Sequence, residues 1–152
     1  MNTQNSTITK LAETALMAAL CYVSFTFLQI KIPVPGGDAT SIHIGNAFCV
    51  LAALLIGGVY GGLSGAIGMG IADLMDPVYI TGAPKTFVLK FCIGLITGLV
   101  AHKIAKINES TDKKYVSMSV IASVAGLAFN VVADPIVGYF YKQYILGQPQ
   151  EL

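Results

Sequence analysis

Residues 44–72, IGNAFCVLAALLIGGVYGGLSGAIGMGIA, carry no charged side chain, and Asp73 ends the run. One helical crossing of a ~30 Å hydrocarbon layer takes about 20 residues, so this stretch is too long for one upright helix and short for two. It reads as two short helices broken at Gly57-Gly58 and Gly61-Gly62, where glycine weakens the helix and allows the positive φ of a reversal. One long tilted helix is the alternative. Gly57/Gly61, Gly58/Gly62 and Gly61/Gly65 also repeat the small-xxx-small spacing that lets backbones touch in lipid.

The rest of the chain fits a membrane protein. Of 152 residues, 55% are hydrophobic and only 11% charged, against about 25% charged in soluble domains. All nine basic residues are lysine and the net charge is +1, which argues against nucleic acid as a partner. Cys21, Cys49 and Cys92 stand in apolar stretches without CxxC spacing and read as small core residues.

After a polar start, residues 11–30 form the first apolar helix, on which Ala15 and Ala19 make a small-residue face suited to another helix or to internal packing. KIPVPGGDATSIH, residues 31–43, reads as a loop, because Pro33 and Pro35 oppose helix and Gly36-Gly37-Asp38 is turn chemistry. Such a loop caps a site or simply links two helices. His43 and Asn46, three apart, share a face if the next helix has begun.

The expected helices are about 11–30, 44–58, 61–74, 85–104 and 116–133, with an outer segment to 146, in a single all-α membrane bundle. Asp73 ends an uncharged helix, and Asp76 before Pro77 reads as an N-cap. Lys90 lies inside the 85–104 helix, where an ionisable group faces a partner or cavity, or snorkels to the surface. It hints at an acidic or phosphate-free polar group on a ligand. Asn130 and Asp134 share a face near the level of Lys90; Asp134 before Pro135 also reads as a cap with a fresh turn beyond it. Tyr139, Tyr141 and Tyr144 suit a membrane interface or stacking on a flat ligand. Lys103, Lys106, Lys113 and Lys114 mark the loop between the last two helices as cytoplasmic. Counting back puts the N-terminus inside and both proline-rich loops outside.

The alanine face, the IPVPGG loop, LLIGGVYGGLSGAIGMGIADL, APKTFVLKFCIGLITG and the segment from Asn130 to Pro135 together resemble the substrate-binding S components of energy-coupling factor (ECF) vitamin transporters, in the riboflavin-transporter-like group. The resemblance implies a helical bundle in the cell membrane that captures a vitamin or related micronutrient, with riboflavin, pyridoxine-like and pyrimidine-type rings as possibilities. It implies as partners a transmembrane coupling subunit and two cytoplasmic ATPases. The family's AxxxA coupling motif falls on Ala15 and Ala19, and its ligand region on Lys90, Asn130 and Asp134, with His43, Asn46 and Asp73 as further contacts. No cofactor and no metal site are expected. The family has six helices, whereas five are visible before residue 152, so a sixth is expected to be missing.

An enzyme is not expected: HExxH, GxSxG and GxxxxGK[ST] are all absent. A small homo-oligomeric channel or structural membrane protein is the other reading. It predicts polar residues spread along a pore, whereas here they gather near one face, between His43 and Asp134.

Overall fold

The computed structural model describes residues 3–34, 38–109 and 111–147, with side chains at all of these except positions 3–5, 33–34 and 38–40. Helix α1 (Thr3–Phe27) leads into an antiparallel hairpin of β1 (Gln29–Val34) and β2 (Asp38–His43). Then follow α2 (Gly45–Ile56), α3 (Gly58–Met75), α4 (Ala83–Gly98) and α5 (Asp112–Phe140). Wide π-type turns, Leu99–Ile104 and Tyr141–Ile145, prolong α4 and α5. Among the described residues three stretches are long and apolar enough to cross a membrane: Ser6–Phe27, Ile80–Glu109 and Asp112–Ile145. At 12 residues, α2 is about 18 Å long and crosses only part of a bilayer.

The segment expected to be a loop is a β-hairpin pairing Gln29 with His43 and Val34 with Asp38. Proline forbids helix there, but in a two-stranded ribbon each strand is an edge, and Pro33 fits without breaking the ladder. The turn itself, Pro35-Gly36-Gly37, lies outside the described residues.

The break in the uncharged run falls at Gly57 alone, with φ 96° and ψ 162°. Gly61 and Gly62 lie inside α3 and serve packing instead. A side chain on Gly61 would strike the Ala53 backbone across the α2–α3 turn, and one on Gly94 would strike the backbone of Gly62. The seam between α3 and α4 is thus backbone on backbone. Helix α3, packed against α1, α2 and α4, is the centre of the bundle.

Two further boundaries differ from expectation. Asp76 ends α3 rather than starting a helix: its backbone N–H bonds to the carbonyls of Ala72 and Asp73. Helix α5 runs through Asp134-Pro135 without a new start, and the Asp134 carboxylate is held by a side chain, Lys85, rather than by the N–H groups a cap would serve.

Successive antiparallel helices bring the hairpin, residues 76–82 and the last turns of α5 to one end. Below them lies a core of Cys21, Phe25, Cys49, Val50, Met69, Ala72 and Ile93. The opposite end holds a smaller cluster of Ala101, Ile107 and Ala122.

Candidate functional site

At the hairpin end a cavity of about 160 Å³ is lined by His43 from the end of β2, Asn46 from the first turn of α2, Asp73 from the last turns of α3, Lys90 from α4, and Asn130 and Asp134 from α5. The end of β2, the start of α2, the end of α3 and the second half of α5 lie toward this end, and Lys90 reaches the cavity from midway along α4. The up-and-down order of the chain therefore gathers into one place all six positions that the sequence singled out for a ligand.

Lys90 is 7% exposed and Asp73 3%, so Lys90 points into the bundle and does not snorkel. Its ammonium stands 3.4 Å from the Asn130 amide oxygen. The Asp134 carboxylate takes a different lysine, Lys85, at 3.0 Å. Buried polar atoms with no partner within the protein are rare in folded chains. Four line this cavity: His43 Nδ1, Asn46 Oδ1, Asp73 Oδ1 and the Tyr79 hydroxyl. Phe25 meets His43 edge-on, with ring centroids 4.5 Å apart, and Tyr79 at 6.2 Å. Burial pushes the His43 imidazole down to about 4, and the nearby Lys90 ammonium adds to this while Asp134 opposes it. The ring is therefore neutral at physiological pH.

Phe25, Ser41, Tyr79, Lys85, Thr86 and Leu89 complete the lining and were not singled out from the sequence. Thr86 does carry a sequence signal, because it precedes Lys90 by four residues and shares its helical face. Lys85 reads as an ordinary interface lysine at a helix start, and only the fold sets Asp134 opposite it. A second chamber of about 120 Å³ shares Asp73, Tyr79, Lys85 and Thr86 with the first and reaches Tyr141 and Lys142. Of the expected tyrosine cluster only Tyr141 enters this region, donating to the Thr81 carbonyl at 2.8 Å. Tyr139 and Tyr144 face outward.

The hairpin is fixed over this end by Lys31, whose ammonium lies 2.6 Å from Asp76 Oδ2 and 5.1 Å from the Tyr79 ring centroid. Asp76 also accepts from the Val78 N–H. The hydrogen bond between them raises the Lys31 pKa and lowers that of Asp76. On α1, Ala15 and Ala19 are exposed on the outer face while Ala18 is buried against α3.

A protein of Pyrococcus woesei described as "Uncharacterized protein in gap 3'region" is 32% identical over 76 residues, which make up 50% of this chain and 49% of that protein. The chain thus spans about half the length of the curated relative it matches. No solved structure matches. The family model described as "ECF-type riboflavin transporter, S component" matches residues 5–152. With that match covering nearly the whole sequence, from the first turns of α1 through α5 and beyond, the chain belongs to the ECF-type riboflavin transporter S component family.

Proposed function

We propose that this chain is the membrane-embedded binding subunit of an ECF-type importer, taking riboflavin or a vitamin of similar ring chemistry into the cavity beneath the hairpin. The observation that carries the reading is the convergence of His43, Asn46, Asp73, Lys90, Asn130 and Asp134 on one polar cavity at the hairpin end of the bundle. The gathering of these groups at one end, above an apolar core, fits a one-sided binding site better than a channel. The lysine-rich connection at the other end supports a cytoplasmic N-terminus and an external cavity. In this reading the Ala15/Ala19 face of α1 meets a transmembrane coupling subunit, with two ATPases behind it, and the chain catalyses no reaction itself.

The test is thermal unfolding of the detergent-purified chain with riboflavin, pyridoxine and pyrimidine-type vitamins or precursors, since a ligand that binds only the native state raises the melting temperature. One compound is expected to shift it, and Lys90→Ala and Asp134→Asn are each expected to weaken that compound's binding. If both variants bind as the parent does, the cavity is not the site. Ala15→Phe with Ala19→Phe is expected to abolish co-purification with the coupling subunit while leaving ligand binding intact.

A further inference from the structure

The polar atoms of the cavity differ in what they can adapt to. The His43 imidazole can change tautomer, the Asn46 amide can turn over and the Tyr79 hydroxyl can rotate, so each serves as donor or acceptor. The two ammonium groups only donate, and both are engaged, Lys85 by Asp134 at 3.0 Å and Lys90 by Asn130 at 3.4 Å. Asp73 is the group of fixed opposite polarity. Its carboxylate only accepts, one edge is served by Thr86, and Oδ1 is buried in the cavity wall without a protein partner. Formal charge in the cavity is balanced, with Lys85 and Lys90 set against Asp73 and Asp134. An added anion therefore brings a net negative charge to a site that is already neutral and meets two carboxylates, of which Asp73, at 3% exposed, is the one out of reach of screening water.

We propose that Asp73 is the specificity-determining residue of this cavity: it accepts a hydrogen bond from an N–H or O–H of the ligand and excludes ligands that bring an anionic group. The inference rests on the binding role proposed above and narrows its substrate class to uncharged or cationic, donor-bearing molecules. It also replaces the acidic ligand group suggested by Lys90 alone, because the countercharge to the lysines comes from the protein. A nutrient selected in this way arrives without phosphate, so any phosphorylation it needs must follow uptake.

The probes are riboflavin, which bears N–H and O–H donors and no charge, and its 5′-phosphate, titrated against the parent chain and Asp73→Asn. The parent is expected to bind riboflavin at least about a hundredfold more tightly than the phosphate ester. In Asp73→Asn, riboflavin affinity is expected to fall about tenfold and the preference to shrink by at least as much. The ratio of the two affinities is independent of the fraction of protein folded, so partial misfolding of the variant does not obscure the result. Equal binding of both probes by the parent, including binding with the phosphate lodged beside Lys142, overturns the inference and leaves the transport role standing. An unchanged ratio in Asp73→Asn removes Asp73 from the selection. If the parent binds neither probe, the riboflavin assignment and this inference fall together.

Discussion

Lys85 Nζ lies 3.0 Å from Asp134 Oδ1, tying the first turn of α4 to α5 one residue before Pro135. The two side chains are 21% and 43% exposed, so water screens the pair and its coupling is expected to be only about 1 kcal/mol. Thermal unfolding of Lys85→Met, Asp134→Asn and the double variant measures it. The double variant is expected to be no less stable than the weaker single; fully additive losses would show that the two groups act independently.

The α3–α4 seam makes a sharper prediction. Gly94→Ala places a methyl on the Gly62 backbone, whereas Gly82 has nothing within 4 Å of an added Cβ. Gly94→Ala is expected to cost about 3 kcal/mol and Gly82→Ala to stay within about 0.5 kcal/mol. Equal melting temperatures for the two variants would contradict close contact between α3 and α4.

Gly57 combines open surroundings with a backbone conformation that only glycine adopts readily, φ 96° and ψ 162°. Gly57→Ala is expected to lose about 1–3 kcal/mol through backbone strain alone. Gly57→Asn should not recover the loss, because this region lies outside the left-handed helical basin that asparagine tolerates. Recovery by asparagine, read from the same melts, would place the turn in that basin instead.

His43 governs a pH window. Its pKa falls from 6.5 to about 4 on folding, so between these values the unfolded chain holds a proton that the folded chain does not. Stability from this group is full above pH 6.5, declines as pH drops toward 4 and levels off below, a total of about 3 kcal/mol at most. The melting temperature of the parent should fall more steeply across that window than that of His43→Gln. Parallel curves would mean that His43 titrates alike in both states.

Apolar run length and glycine spacing made the helices and their close packing legible in the sequence. Asp73, Lys90 and Asn130 stood out for a simple reason: polar groups at membrane depth are costly and need an account. Pairing was harder to read. Asp134 lies at about the level of both Lys85 and Lys90, and only the rotation of α4 against α5 decides between them. The hairpin did leave a signal, the alternation of Ile30, Ile32 and Val34, but the prolines between and after them outweighed it. Whether a glycine reverses the chain or admits a neighbouring helix depends on what lies across from it, and the sequence alone does not separate Gly61 and Gly62 from the break at Gly57.

Because Gly58, Gly62, Gly94 and Gly98 bring α3 and α4 together without intervening side chains, these helices cannot slide past each other by exchanging rotamers, as helices separated by leucines can. They form a single stiff plank that carries both Asp73 and Lys90. Any breathing that admits a ligand is thereby left to the parts hinged on that plank, the hairpin held by Lys31 and the upper turns of α5 held by Lys85. Amide exchange should find the plank slowest and those two parts fastest.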